Sequence, residues 1–441
     1  MNGYRSFAVT VIGGNHIKDN PDNAVCQDFS NFCDDDDDVS ITVVADGHGD
    51  SSCFRSHLGS RFAVACVTQG IKDFVKEHVA LFPKKQSKFW LLRYLPKQAI
   101  PPAPSRKEFE KLIREKLIKY IVASWNKAVG EHYEKNPFTS EELEKVSEKY
   151  RKRFEDSQQM FLDKGSAGEG ISKAYGTTLI AAAITPHYWF GFHIGDGRFT
   201  VLYPDKGEQP VPWDEKCFLN ATTSICDGDI LERDKGVRSF LSFHTENEPP
   251  LAIFLCTDGI DDNYPVDEKE NKTQLIRLYR TISLTFVDDG YESTCVQLKD
   301  LINQFATKGK GDDTSIGCII NIEETKKAAL EHGWKEKMEA AEEVRSRKKD
   351  EAAAKVKSEH EAAEKEEISN ADTATEDNTT AEDIANKPIA DSVVDPIPIK
   401  EAKPEVKTDD ENEDESKQKK ILVTKTVINA YQKNMDAAKK S

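Results

Sequence analysis

The chain has 441 residues, 32% of them charged, and a formal net charge of −17 at pH 7. This length allows a large core and more than one structural region. The acidic balance argues against nucleic acid or an anionic membrane as the main partner, and no apolar run is long enough for a transmembrane helix.

The nine cysteines are scattered without a Cys-x-x-Cys pair, and an odd number cannot all pair within one chain. Cys256 and Cys318 lie in apolar strand patterns, so we expect them to be buried thiols. The first residues also lack the apolar core of a signal peptide. Together these features predict a reducing, cytoplasmic location.

The N-terminal region, up to about residue 62, reads as strand, loop, strand and the start of a helix. A run of five aspartates, Asp34 to Asp38, lies between two strand patterns. The run lacks the spaced ligands and the glycine of a calcium loop. We therefore interpret it as the acidic tip of a hairpin.

Residues 63–170 are predicted to be largely helical and to form an extended insertion. Apolar residues from Leu112 to Trp125 recur at helical spacing, and a charged helix from Ser140 to Phe161 begins at a capping sequence that starts with Thr139. The basic and aromatic stretch Lys84 to Arg93 could contact a phosphorylated partner. We favour the alternative that it is a solvated basic face of the insertion.

Further along the chain, Leu179 to Ile184 and Tyr188 to Ile194 are strand patterns separated by a short turn. Such a short connection indicates antiparallel pairing. Leu275 to Leu284 and Val296 to Phe305 are predicted helices.

After Ile322 the composition changes. Residues 323–368 are rich in Ala, Glu and Lys and are predicted to form a charged helix, whose first part docks through a face that includes Leu330 and Trp334. Residues 369–418 are acidic, contain no aromatic residue and are predicted to be a disordered linker. Residues 419–441 form a short amphipathic segment that either docks or is a frayed end.

Three short acidic strings are the most informative features of the chain: Ala45-Asp46-Gly47-His48-Gly49, Cys256-Thr257-Asp258-Gly259 and Gly311-Asp312-Asp313-Thr314. In each, an aspartate adjoins a predicted strand and a glycine is nearby. A carboxylate there can reach a metal ion while the backbone turns away. Any single string is most simply a turn, but three from distant regions suggest a shared site for a hard divalent cation.

Other strings complete a recognisable order: Gly14-Asn15-His16-Ile17, Cys26-Gln27-Asp28, Tyr175-Gly176-Thr177-Thr178 and Gly195-Asp196-Gly197-Arg198. With the acidic strings, this order resembles the metal-dependent protein phosphatase 2C family of serine/threonine phosphatases. The resemblance spans residues 7–321 and is greater to a bacterial branch than to the animal enzymes.

The resemblance implies an α+β fold in which two antiparallel β-sheets pack as a sandwich flanked by helices. Residues 1–322 would form the catalytic domain, with the metal site at one edge between the sheets. Residues 205–248 would include a flap beside that site. The residues alone indicate only a mixture of α and β structure.

The resemblance also implies two Mg²⁺ or Mn²⁺ ions, possibly with a third, and attack on a phosphomonoester by a metal-bridging water. Asp46 would bridge the ions, with the Gly47 carbonyl on one and Asp258 and Asp312 on the other. Asp28 would act through metal-bound waters. Asp196 would complete a third site together with Asp258.

His48 matches the histidine proposed to protonate the leaving alkoxide, a task suited to a side chain with an ordinary pKa of about 6.5. Two positions differ from the family pattern. Gln27 replaces the glutamate often found before the first aspartate, and Asn23 replaces the arginine with which the animal enzymes grip the phosphate. His16 and Lys18 are the nearest candidates to bind substrate phosphate instead. We favour His16, for which the alternative is a structural histidine at a strand end.

The predicted function is Mg²⁺- or Mn²⁺-dependent hydrolysis of phosphoserine and phosphothreonine. The expected partners are phosphorylated proteins, in particular a serine/threonine kinase or its substrates, and the chain is expected to be monomeric. One alternative is a non-catalytic scaffold with the same fold, which the intact Asp46, Asp258 and Asp312 argue against. A phosphatase of a small molecule is the other, since fold does not fix substrate.

Overall fold

A computed structural model describes residues 3–35, 39–82, 103–164, 169–214, 217, 222–232, 236–344 and 346–347. The compact unit Met1–Lys335 contains all the described strands. In the second unit, Glu336–Lys440, residues 336–344 are helical. The predictions for the stretch Lys84 to Arg93 and for residues 369–418 and 419–441 lie outside the described residues, as does most of the aspartate run.

Two five-stranded antiparallel sheets form the centre of the first unit. The strands are β1 (Tyr4–Val11), β2 (Phe29–Asp35), β3 (Val39–Ala45), β4 (Leu179–Ile184), β5 (Tyr188–Ile194), β6 (Arg198–Leu202), β7 (Gly207–Glu208), β8 (Arg238–Phe243), β9 (Ala252–Cys256) and β10 (Thr314–Asn321). One sheet has the order β1-β10-β9-β6-β7 and the other β2-β3-β4-β5-β8. The predicted sandwich of antiparallel sheets is confirmed.

Strands β3, β4 and β5 are buried along their whole length. They read as continuous apolar runs because both faces of their sheet are covered. Val44 and Ile180 from this sheet pack with Ile253 and Ile319 from the other in one hydrophobic cluster. The opposite face of this sheet packs against helices, so β3, which the Asp46 string follows, is held by hydrophobic cores on both faces.

The described helices are α1 (Gly14–Asp19), α2 (Ser56–His78), α3 (Arg106–Leu112), α4 (Lys119–Lys135), α5 (Ser140–Glu144), α6 (Glu148–Lys164), α7 (Glu169–Lys173), α8 (Asp258–Asp261), α9 (Glu268–Asp289), α10 (Tyr291–Lys308) and α11 (Ile322–Glu331). We call α3 to α6 the helical insertion. Its Trp125 indole donates a 3.0 Å hydrogen bond to the Gly59 carbonyl of α2. In the described part of the chain, no helix is long and apolar enough to cross a lipid bilayer.

The prediction of one helix from Ser140 to Phe161 is wrong, because the chain turns between α5 and α6. Val146 in this turn is buried, and Arg151 donates hydrogen bonds to the carbonyls of Leu143 and Val146. The guanidinium thus satisfies acceptors left open at the end of α5. The predicted capping sequence is confirmed, since Thr139 and Glu142 form a capping box.

The predicted docking face after Ile322 is wrong at Leu330, which is 77% exposed. The buried face of α11 instead presents the small side chains Ala328 and Ala329. The chain turns at Gly333, where φ is +56°, and Trp334 then lies buried with its indole donating to the Pro204 carbonyl at 2.8 Å. The docking prediction is thus confirmed at Trp334 and wrong at Leu330, because α11 ends at Glu331 and its helical spacing does not continue across Gly333.

Candidate active site

Three aspartates from separate strand ends converge at one edge of the sandwich. Asp46 follows β3, Asp196 lies between β5 and β6, and Asp258 is the first residue of α8, directly after β9 and Thr257. One carboxylate oxygen from each lies within 4.8 Å of the other two. Since β3 and β9 belong to different sheets, the cluster lies where the two sheets meet.

The backbone of Asp46 is fixed by the Gly-Thr-Thr string. Its amide donates to the Thr178 hydroxyl at 3.0 Å, and its carbonyl accepts from the Thr178 amide at 2.8 Å and the Thr177 hydroxyl at 2.7 Å. These bonds leave the Asp46 carboxylate free to face the cluster. The contacts of the two threonines thus hold a candidate metal ligand in place.

Asp28 lies beside the cluster and is only 2% exposed. Its Oδ2 accepts a 2.8 Å hydrogen bond from Thr257, whereas its buried Oδ1 has no hydrogen-bond partner among the described residues. Burial, and then the charge of Asp313, raise the pKa of Asp28 to about 7. A buried carboxylate oxygen without a partner suits a cation or its bound water.

The electrostatics of the cluster favour a bound cation. Burial, followed by repulsion from Asp258, raises the pKa of Asp46, and burial with repulsion from Asp196 raises that of Asp258. Asp196 Oδ2 accepts from Thr222 at 2.8 Å, while its buried Oδ1 makes no hydrogen bond within the described ranges. An oxygen-only donor set with uncompensated charge fits a hard divalent ion such as Mg²⁺ or Mn²⁺.

Asp312 differs from the other predicted ligands, because its side chain is 56% exposed. It lies outside the three-carboxylate group, although its charge contributes to the raised pKa values of Asp46 and Asp258. His16, on α1, places Nε2 3.6 Å from Asp312 Oδ1. A hydrogen bond with Asp312 raises the pKa of His16. Its proposed contact with substrate phosphate stays a prediction.

Gly47 has no room for a side chain. A Cβ atom there would lie 2.6 Å from the Gln27 carbonyl oxygen and 2.9 Å from the Ser56 backbone. Gly47 also pairs with Thr177 in an isolated antiparallel bridge. The glycine therefore permits the close approach of three segments, while its carbonyl as a metal ligand stays a prediction.

Asp313, for which the sequence pattern predicted no role, is only 3% exposed. Its carboxylate accepts from the Gly13 amide at 2.7 Å and the Gln27 amide at 2.5 Å. Asp313 thus ties both ends of the loop containing α1 to the start of β10. The available signal was the pair Asp312-Asp313 at a strand start, because adjacent strand residues point to opposite sides.

His48 lies next to the cluster. Its amide donates to the Gly176 carbonyl at 3.2 Å, and its imidazole Nε2 is buried without a hydrogen-bond partner among the described residues. Burial and the positive charge of Lys173 lower the pKa of His48 to about 4. The imidazole is therefore neutral at pH 7 before substrate binds.

Arg198, the arginine of the Gly-Asp-x-Arg string, braces the neighbouring loops. Its guanidinium lies 2.5 Å from the Asp261 carboxylate and 3.5 Å above the Trp213 ring. Trp213 belongs to the predicted flap interval, as does Thr222, which bonds to Asp196. This interval therefore contacts the site directly.

The chain is similar to a family model and to phosphatases of known structure. A family model described as protein phosphatase 2C matches residues 12–300. The serine/threonine phosphatase Stp1 from Staphylococcus aureus is 14% identical with a TM-score of 0.38, over 72% of this chain and 94% of that one. The catalytic domain of the serine threonine protein phosphatase PstP, solved with two manganese ions, is 14% identical with a TM-score of 0.36, over 72% and 97%. A search of curated sequences gave no significant match.

Proposed function

Because this chain belongs to the protein phosphatase 2C family, we propose that it is a Mg²⁺- or Mn²⁺-dependent phosphatase of phosphoserine and phosphothreonine in proteins. The observation that carries the proposal is the convergence of Asp46, Asp196 and Asp258, whose carboxylate oxygens lie within 4.8 Å of one another. Phosphomonoester hydrolysis requires neutralisation of the phosphoryl oxygens, and such a cluster is suited to hold the ions that do so.

The residues of the site would divide the binding of the ions among them. Asp46 is central because, after burial, the charges of Asp258, Asp28, Asp196 and Asp312 all raise its pKa. The proposed ligands are Asp46, the Gly47 carbonyl, Asp196, Asp258 and Asp312, with Asp28 acting through bound water. Divalent ions held by these residues would lower the pKa of a bound water and neutralise charge on the phosphate.

The chain's own contribution to proton transfer is His48. A serine alkoxide is a poor leaving group unless it is protonated as it departs. His48 Nε2 has no partner among the described residues, so it can face a substrate. The charges of Asp196 and Asp50 favour the imidazolium, and a phosphate dianion would act in the same direction.

The wider context of the reaction is also proposed. The expected partners are phosphorylated proteins, in particular a serine/threonine kinase or its substrates. We expect the enzyme to be a monomer and to act in the cytoplasm. Family membership and the net charge of −17 support a protein substrate over nucleic acid.

The proposal is tested with the full chain and p-nitrophenyl phosphate, first in EDTA and then with Mn²⁺ or Mg²⁺. Peptides bearing phosphoserine, phosphothreonine or phosphotyrosine follow, with free phosphate as the readout. We expect turnover only with metal, and faster release from phosphoserine and phosphothreonine than from phosphotyrosine. Absence of metal-dependent turnover would favour the scaffold, and activity on the aryl ester without activity on any phosphopeptide would favour a small-molecule substrate.

A further inference from the structure

The helical insertion is joined to the active-site region through the buried residue Arg55. Arg55 precedes α2 and is 6% exposed. Its Nε and Nη2 each donate a 2.7 Å hydrogen bond to the Glu142 carboxylate on α5. Nη1 also donates to the Asn136 carbonyl at 2.6 Å, and Nη2 to that of Pro137 at 3.0 Å. A two-bond pair of this kind fixes geometry as well as contributing energy.

The same guanidinium contacts Tyr175. Arg55 Nη1 donates to the Tyr175 hydroxyl at 2.9 Å, and that hydroxyl lies 2.8 Å from His132 Nδ1 on α4. Because arginine can only donate, the tyrosine hydroxyl accepts from Arg55 and is free to donate to a neutral His132. Burial and the charge of Arg55 lower the pKa of His132, which favours that neutral form. The fully buried Tyr175 is thus held by α4 of the insertion and by Arg55, which is itself paired with Glu142 on α5.

Tyr175 is directly followed by Gly176, the residue against which His48 packs. The Gly176 carbonyl accepts from the His48 amide at 3.2 Å. A Cβ on Gly176 would lie only 2.9 Å from His48 Cδ2, so the imidazole rests on the bare Cα of the glycine. On the other side, the Arg55 amide donates to the Ala174 carbonyl at 2.8 Å. A displacement of Tyr175 would therefore shift the surface that orients the imidazole.

We propose that Arg55 and Tyr175 are positioning residues for His48, and that through them the helical insertion sets the orientation of the imidazole for protonation of the leaving group. This inference rests on the proposed function, because it assigns His48 its task in phosphoester cleavage. The backbone of Asp46 is held by a different set of hydrogen bonds, from Thr177 and Thr178 just before β4. Loosening Tyr175 should therefore affect proton donation more than metal binding.

The cleanest variant is Tyr175→Phe, which keeps the ring and removes only the hydroxyl. Arg55 retains its bonds to Glu142 and Asn136 in that variant. The matched control is Tyr188→Phe, since Tyr188 is also buried but lies on β5 and packs against Phe82 and Phe109 in the core. Thermal melts of both variants report on folding.

The kinetic arm compares two leaving groups. For Tyr175→Phe we expect kcat on a phosphoserine peptide to fall about tenfold, a part of the ~100-fold or greater contribution of general acid catalysis. On p-nitrophenyl phosphate, whose leaving group barely needs a proton, kcat should stay within about twofold. Tyr188→Phe should leave kcat on both substrates unchanged. Arg55→Lys should resemble Tyr175→Phe, because an ammonium cannot form the two-bond pair.

A second arm needs no turnover. Imidazole resonances of the ten histidines are recorded by ¹H–¹³C NMR with Mg²⁺, and that of His48 is assigned through His48→Gln. Tyr175→Phe should shift the His48 resonance, whereas Tyr188→Phe should leave it in place.

The outcomes separate this inference from the proposed function. A wild-type chain without metal-dependent turnover, combined with a His48 shift in Tyr175→Phe, would overturn the function and retain the positioning contact. An active wild type with equal losses on the two substrates, or with an unmoved His48 resonance, would overturn the positioning role.

Discussion

The Thr257 hydroxyl donates a 2.8 Å hydrogen bond to Asp28 Oδ2, joining residues that are 229 positions apart in the chain. The same hydroxyl accepts from the Ser315 amide at 2.9 Å. Thr257 directly precedes Asp258. Its side chain therefore aligns the loop that contains Asp28 with the end of β9 and the start of β10. Asp28 Oδ1 is left facing the cluster without a hydrogen-bond partner in the described part of the chain.

Thr257→Val should therefore weaken metal binding while the three clustered aspartates stay intact. Removing a partner that orients a ligand typically costs about 10- to 100-fold in metal affinity. Titration calorimetry with Mn²⁺ measures the change. The control is Thr294→Val, at a buried threonine on α10 whose hydroxyl donates to the Gly290 carbonyl. Equal Mn²⁺ affinity in wild type and Thr257→Val would remove Thr257 from this role.

The raised pKa values predict how the stability of the metal-free protein depends on pH. Asp28 has a pKa of about 7 in the folded chain against 3.8 ordinarily, and those of Asp46 and Asp258 are also raised. The folded state then binds more protons than the unfolded state in this window. The free energy of unfolding of the metal-free protein should accordingly fall as pH rises from about 4 to 7.

A divalent ion replaces those protons, so the rise in Tm on adding Mn²⁺ should be larger at pH 7.5 than at pH 5.5. Differential scanning calorimetry in EDTA and in Mn²⁺ measures both trends. Asp28→Asn should flatten the pH dependence of the metal-free protein. A rise in Tm that is the same at both pH values would contradict the assignment of these carboxylates to the ion.

His48→Gln should lower kcat far more on a phosphoserine peptide than on p-nitrophenyl phosphate. The alkoxide of serine needs a proton as it leaves, whereas p-nitrophenolate barely does. The readout is the ratio of the loss of kcat on the peptide to the loss on p-nitrophenyl phosphate, measured at saturating Mn²⁺. The control is His244→Gln, at the residue directly after β8. Losses of equal size on the two substrates would argue against His48 as the acid.

The burial of Trp334 and the exposure of Leu330 give a prediction about stability. Trp334→Ala should lower the free energy of unfolding by about 3–5 kcal/mol because it empties a buried site. Leu330→Ala should change it by no more than about 0.5 kcal/mol, since that side chain is 77% exposed. Urea unfolding of the two variants decides the point, and similar costs would restore Leu330 to the docking face.

The strand ends and the acidic cluster could be predicted from the sequence because the signals are local. A buried apolar run followed by an aspartate and a glycine is visible at Asp46 and at Asp258. The ordered strings then indicated the family, from which the sandwich followed. These features depend on neighbouring residues or on a pattern shared with relatives.

The contacts that hold the site in place could not be predicted in the same way. Asp313 accepts from the Gly13 amide 300 positions away, and Arg55 pairs with Glu142 across 87 positions. Neither contact leaves a periodic signal, because each forms only when separate elements have packed. The exposed Leu330 has a similar cause, since α11 ends at Glu331 and the turn at Gly333 interrupts the helical spacing that related Leu330 to Trp334.

The central claim, that Asp46 holds divalent ions for catalysis, is tested most directly by Mn²⁺ binding to Asp46→Asn. The control is Asp156→Asn, an exposed aspartate on α6. Titration calorimetry and p-nitrophenyl phosphate turnover are measured on the same preparations, with circular dichroism to confirm folding. The account predicts tight Mn²⁺ binding and turnover in wild type and Asp156→Asn, and a loss of both in a folded Asp46→Asn. Binding at wild-type affinity, or turnover above about a tenth of wild type, in Asp46→Asn would contradict it.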